Sequence, residues 1–218
     1  MRTVVSAVAL AGTVVLATGP GAAASATGPG ASASAAAGTW TVSPGGAITV
    51  MAGKTTLTDT PTGAVSSCQS SRMSGTLKQG SGLSGTGIGS LTTAVYSLCQ
   101  AGPFPGKLTA RGLPWRLNLT SYDRSTGVAR GTISHLQINF APSFIQCTAA
   151  VKATSSTTPD GVAPVSYASR TGTLKILTTG GDLHFYHVRN CAGIVRDGDA
   201  ATLSASYTIS PRQVITSP

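Results

Sequence analysis

The chain has 218 residues, with fifteen Lys and Arg against six acids, and a formal net charge of +9. Every acid is Asp and none is Glu. With few Lys and a surplus of Thr, Ser, Val and Gly, the composition lacks the residues that cover exposed helices, which excludes a largely helical fold.

The first residues, Met1 and Arg2, precede the apolar run TVVSAVALAGTVVLA and then a zone of small residues. That layout predicts a secretory signal peptide over 1–26, with a hydrophobic region too short to serve as a comfortable membrane span. Small-x-small sites at Ala24-Ser25-Ala26, Ala31-Ser32-Ala33 and Ala35-Ala36-Ala37 leave the cut open between 24 and 38. Residues 27–38 read as a flexible Ala/Ser/Gly arm, and 39–218 as a single domain large enough for its own core. The expectation is a secreted, extracellular protein with no membrane span after signal removal.

All four cysteines, Cys68, Cys99, Cys147 and Cys191, follow the leader. An even count in an exported chain predicts two disulfides. Three pairings are possible, and hairpin-rich folds favour nearest neighbours, Cys68 with Cys99 and Cys147 with Cys191. No C-x-x-C pair exists to suggest a zinc site.

Next comes KQGSGLSGTGIGSL, residues 78–91, in which Gly80 to Gly85 matches the G-x-G-x-x-G of a dinucleotide cradle. A cradle needs a helix after it and an acid about 20 residues on. Here Thr-, Val- and Gly-rich sequence follows, and the next acid is Asp123, so no nucleotide cofactor is expected. Gly80 and Gly82 share one strand parity, and Gly85, Gly87 and Gly89 the other, which requires a turn or bulge between the two sets. Gly85, Gly87 and Gly89 would then form a bare stripe on the strand leading to Cys99. A ring, a crossing backbone or a ligand could lie on it.

Period-two segments dominate the rest. Trp115, Leu117 and Leu119 alternate with Arg116, Asn118 and Thr120; Leu136, Ile138 and Phe140 alternate with His135, Gln137 and Asn139. Leu203, Ala205, Tyr207 and Ile209 alternate with polar residues in the same way. Turn signals fall at Asp123–Gly127, at 158–161, at 179–182 and at 196–199. This pattern predicts an all-β fold, an antiparallel β-sandwich or β-barrel of about 10–13 strands, stapled by disulfides. A faint repeat of Gly-Thr-aliphatic occurs at Gly75, Gly131 and Gly172, each upstream of a Cys.

Catalytic constellations are hard to find. His184 and His187 are three apart, which in a regular strand puts them on opposite faces and denies them a shared metal, with His187 expected on the buried side. No G-x-S-x-G elbow occurs. Asp197 and Asp199 sit in a Gly turn, where hairpin chemistry is the commoner use and calcium binding the rarer one. Phe104, Trp115 and Tyr122 are interleaved with Lys107, Arg111 and Arg116; they read as a core face first and a ligand platform second. The expectation is no catalytic residue, no metal and no cofactor. Gly85, Gly87, Gly89 and Trp115 are the candidate ligand contacts.

Three stretches, SGTLKQGSGLSGTGIGSL, GLPWRLNLTSYDRSTGVARGTIS and RDGDAATLSASYTISPRQVITSP, resemble uncharacterised small secreted all-β proteins of actinomycete-type bacteria. That resemblance implies an exported β-domain and carries no activity. TWTVSPGGAITV is similar to the start of lipocalin-like YceI proteins, which implies a barrel around a small apolar ligand. The leading expectation is a non-catalytic domain acting at or near the cell envelope, its role and partner open; the scattered positive charge reads first as a solubility feature and second as a match for anionic cell-wall polymers, lipid headgroups or nucleic acid. The alternative is the ligand-holding barrel; a hydrolase, with His184 or His135 near an Asp, comes third. No nucleic-acid motif is present, since the basic residues are scattered singly.

Overall fold

Every regular element is a strand in the computed structural model, which describes residues 38–142, 146–153 and 160–218. The signal peptide and nearly all of the arm expected from the sequence lie outside these residues, as do Thr158 and Pro159 of one predicted turn.

Among the described residues there are fourteen strands. They are β1 (Trp40–Ser43), β2 (Gly46–Asp59), β3 (Val65–Leu77), β4 (Gly80–Leu83), β5 (Gly89–Ala101), β6 (Phe104–Arg111) and β7 (Trp115–Asp123), followed by β8 (Val128–Pro142), β9 (Thr148–Lys152), β10 (Gly161–Ala168), β11 (Thr173–Ile176), β12 (His184–Arg189), β13 (Ala201–Ser210) and β14 (Val214–Thr216). The count exceeds the expected ten to thirteen because glycine-rich and proline-flanked pieces, β4 and β14, still find partners as short edge strands.

Eleven strands form one antiparallel sheet, and its pairings close on themselves. From β2 the ring runs through β3, β5, β8, β10, β11 and β13 and back to β2. Between β5 and β8 the ring is bridged twice. β7 joins the beginning of β5 to the first half of β8, and β6 joins the end of β5 to the second half. A sheet that closes has no free edge along the ring, so the barrel alternative describes this molecule. β9 adds to the second half of β8 and β12 to β9. The segment around β12 returns to the start of β13 through Ala201 N–H to Leu183 O, at 2.7 Å.

The alternations read from the sequence are the inside and outside of this barrel. Leu136, Ile138 and Phe140 are buried, as are Leu203, Ala205, Tyr207 and Ile209. Trp115, Tyr167, Tyr207, Leu57, Met73 and Ile133 are among the largest fully buried side chains, so large rings and branched chains occupy the interior. One polar group of side chains lies among them: Thr55 Oγ1 is 2.6 Å from Ser71 Oγ, and Ser71 Oγ donates to the Tyr207 hydroxyl at 3.2 Å. Burial pushes the Tyr207 phenol above its usual range, and the Tyr96 phenol well above it.

A three-stranded sheet, β14–β1–β4, packs on the barrel. Trp40, Val42 and Ile215 join the common core, and Gln213 fastens the C-terminal segment. Fully buried Gln213 accepts from Gly45 N–H at 2.8 Å and donates its side-chain amide to Pro211 O at 2.8 Å. Its backbone exchanges hydrogen bonds with the Tyr167 hydroxyl, at 2.8 and 2.9 Å. A buried amide with its bonds made stabilises; without them it would cost a few kcal/mol.

The two disulfides are Cys68–Cys99 and Cys147–Cys191, the nearest-neighbour pairing. Cys68 and Cys99 are register partners on β3 and β5. The second disulfide ties the start of β9 to the end of β12. No helix among the described residues is long and apolar enough to cross a membrane.

Candidate functional site: the glycine loop and the cationic groove beside it

The loop 84–88 connects β4 to β5, so Gly85 and Gly87 precede the strand and Gly89 begins it. The three glycines therefore do not form the single strand-face stripe expected from their parity. The turn expected between Gly82 and Gly85 is present, because the chain leaves β4 after Leu83.

Each glycine has its own physical reason. A Cβ at Gly85 would run into the Leu119 carbonyl and lie 2.6 Å from Trp40 Nε1. At Gly89 it would lie 2.5 Å from a Leu77 methyl and 2.9 Å from Thr76 O. At Gly87 it would meet nothing within 4 Å; there the backbone, with φ +59°, favours glycine. Trp115 is fully buried and donates its indole N–H to Arg111 O at 2.7 Å. It belongs to the interior and not to a surface platform.

The loop is pinned along its length. Ile88 is buried, Gly85 O accepts from Leu119 N–H at 2.9 Å, and Ile88 O accepts from Lys78 N–H at 2.8 Å. Gly87 N–H donates to Asn118 Oδ1 at 2.8 Å, and Asn118 Nδ2 donates onward to Ser134 Oγ at 3.0 Å. A loop held by backbone and side chain on both flanks has little entropy left to lose on binding.

Beside it lies a groove of about 480 Å³ on the outer face of the barrel. Cross-strand register explains its walls: Thr76 on β3 faces Ser90 on β5, which faces Arg116 on β7, which faces Ser134 on β8. All are outward positions of strands whose alternate residues fill the core. Lys78, on the bend after β3, and Arg116 are exposed on the rim, with the Thr76, Thr86 and Ser90 hydroxyls between. The lining holds no His, Asp, Glu, Cys or Tyr. It offers two permanent positive charges and a row of hydroxyl donors, but no group suited to taking or giving a proton near neutral pH.

The wider charge layout supports this polarity. Among the described residues thirteen Lys and Arg side chains are exposed, including Lys78 after β3 and Arg72, Arg116 and Arg130 on the strands around the groove. The acids are committed elsewhere. Asp123 caps its hairpin, accepting from Ser125 N–H and Oγ at 2.9 and 2.6 Å. Asp197 accepts from Val188 N–H and Asp199 from Arg196 N–H, at 2.9 and 2.8 Å. Asp59 is buried, and Asp160 and Asp182 lie beside histidines.

Those histidines fall differently from the sequence expectation. His187, expected to be buried, is exposed; a bulge between Tyr186 and Arg189 gives it φ +54° and turns it outward. His184 sits between Gly198 O, 3.1 Å from Nδ1, and Asp182 Oδ1, 3.3 Å from Nε2. His135, also with positive φ, lies 3.7 Å from Asp160. Both are near an Asp, as the hydrolytic alternative requires; the two ring nitrogens of His184 face a carbonyl and a carboxylate oxygen, to only one of which a neutral ring can donate. No group of three metal-ligating side chains is assembled among the described residues.

The sequence signal that marked this region was the glycine run. It located the loop but not the groove, whose two cations, Lys78 and Arg116, are 38 positions apart and meet only through the β3–β5–β7 register. No protein-family model, no curated protein and no solved structure matches this chain.

Proposed function

We propose that this protein is a secreted, non-catalytic β-barrel module that binds an anionic polymer of the cell envelope along the groove between Lys78 and Arg116. The observation that carries the reading is the groove's composition: two exposed cations flanking hydroxyls on a pinned loop, with no carboxylate in the lining. Phosphate-bearing polyols match such a surface, because cations meet the charge and Ser/Thr hydroxyls meet the polyol. The disulfides fit an oxidising compartment outside the cytoplasm.

An apolar ligand inside the barrel, the lipocalin-like alternative, finds its space taken by Trp115, Tyr167 and Tyr207. A hydrolytic role centred on His184 would need Nδ1 to leave the Gly198 carbonyl that it now faces.

The test is co-sedimentation or interferometry with immobilised long-chain polyphosphate, using neutral dextran as the control. Retention on polyphosphate and none on dextran supports the reading. Equal retention on both, or on neither, refutes it.

A further inference from the structure

A second feature lies at the end of β2. Asp59 is wholly buried: Oδ1 accepts from Thr62 N–H at 3.0 Å, while Oδ2 has no hydrogen-bond partner among the described residues. The carboxyl of Asp199 stands beside it within hydrogen-bonding reach, its own Oδ2 accepting from Arg196 N–H at 2.8 Å. Two ionised carboxylates side by side repel each other, and here one has a buried oxygen to which no described residue donates. One proton between them removes a charge and supplies the missing donor.

We propose that Asp59 and Asp199 share one proton, and that this proton latches the turn between β2 and β3 onto the segment 191–200. Two further bonds cross the same seam: Thr60 N–H to Ala200 O and Thr62 Oγ1 to Ile194 O, both at 2.8 Å. The other charged groups around it are Arg196 and Asp197 from the segment itself and, from β12, His184 with its partner Asp182, reached through Gly198. Arg196 and Asp197 are exposed to solvent, so the buried Asp59 oxygen depends on Asp199.

Burial, and then the charge of Asp199, raise the Asp59 carboxyl above the ordinary carboxylate range, whereas its bonds from Thr62 pull it down. A raised folded value means the native state holds the proton more tightly than the unfolded chain. The latch therefore stabilises fully below the unfolded value, and its contribution is lost as pH rises through the folded one. On losing the proton, the seam holds two facing charges and the segment 191–200 opens more often.

The experiment follows thermal unfolding, and amide exchange at Thr60 and Ala201, between about pH 4 and pH 8. It uses the wild type, Asp59→Asn and Asp199→Asn, each with added calcium or with EDTA. The expected result is a wild-type midpoint that falls by roughly 3 °C or more as pH rises, with faster exchange at both amides. Either Asn variant that folds should flatten that slope, and calcium should change nothing. A wild-type slope retained in the variants overturns the proposal. So does a midpoint raised by calcium and lowered by EDTA, which would give the orphan oxygen to a metal. An NMR titration placing the wild-type Asp59 carboxyl in the ordinary range overturns it without recourse to any variant.

Discussion

The indole of Trp40 lies directly over Gly85, so close that a methyl group on Gly85 would come within 2.6 Å of the ring nitrogen. The contact joins the small sheet to the glycine loop, and the Trp40 and Tyr122 rings meet in a T-shaped arrangement, with centroids 6.4 Å apart. Gly85→Ala should destabilise by about 1–3 kcal/mol through overpacking against the ring and the Leu119 carbonyl. Gly87→Ala should cost about 1 kcal/mol from its positive φ alone. Urea unfolding of the two variants checks the order, with the larger loss at Gly85.

Inside the barrel, the Tyr96 hydroxyl is buried without a hydrogen-bond partner among the described residues, while Tyr207 accepts from Ser71. Removing an unmet hydroxyl should help, and removing a used one should hurt. Tyr96→Phe should stabilise by about 1 kcal/mol and Tyr207→Phe should destabilise by about the same amount. Denaturation midpoints of the two Phe variants read this directly, and equal effects of either sign contradict it.

The disulfide Cys147–Cys191 spans 44 residues and anchors the β9–β12 flap, which touches the barrel ring through β8 and the start of β13. Replacing both cysteines by Ser should lower stability by roughly 3–4 kcal/mol in the chain-entropy account. Amide exchange should speed up first in β12, ahead of β2 and β3. Uniform acceleration over the barrel would show that the flap is not a separate unit.

On the acid side, the Ser125 hydroxyl, then Thr126, hold the Asp123 carboxyl down at about 2. A depressed folded value contributes stability above the unfolded carboxylate range that is lost as pH falls through it. The hairpin of β7 and β8 should therefore loosen between about pH 4 and pH 2, seen as faster exchange at Gly127, whose N–H bonds Asp123 O. Asp123→Asn should abolish that pH dependence and leave the rest of the barrel unchanged.

Much of this architecture was readable in the chain. Alternation at Trp115–Thr120, His135–Phe140 and Thr202–Ile209 follows from the two faces of a strand, and a half-buried strand must write that pattern into its sequence. The nearest-neighbour disulfides hold although neither joins consecutive strands: β4 lies between β3 and β5, and β10 and β11 lie between β9 and β12. The Gly-Thr-aliphatic repeat had physical content at two of its three copies. Gly75 and Gly131 both sit where a partner strand's carbonyl leaves no room for a Cβ, whereas Gly172 takes a positive φ in a turn. Other features were not local and stayed hidden. The bulge that exposes His187 depends on the pairing of β12 with β9. The Asp59–Asp199 pair joins residues 140 positions apart. Closure of the sheet rests on β10 meeting β8, which no short window reveals.

In the proposed function, charge in the groove, and not charge at large, captures an anionic polymer. The most direct measurement is the affinity for polyphosphate as a function of salt, comparing the wild type with the Lys78→Ala/Arg116→Ala pair. Arg170→Ala/Lys175→Ala, on exposed positions around β11, is the charge-matched control. Binding should weaken with salt, fall about tenfold or more in the groove pair, and stay nearly unchanged in the control. Equal losses from both pairs would contradict the proposal, since the barrel would then bind anions by net charge and not at a site.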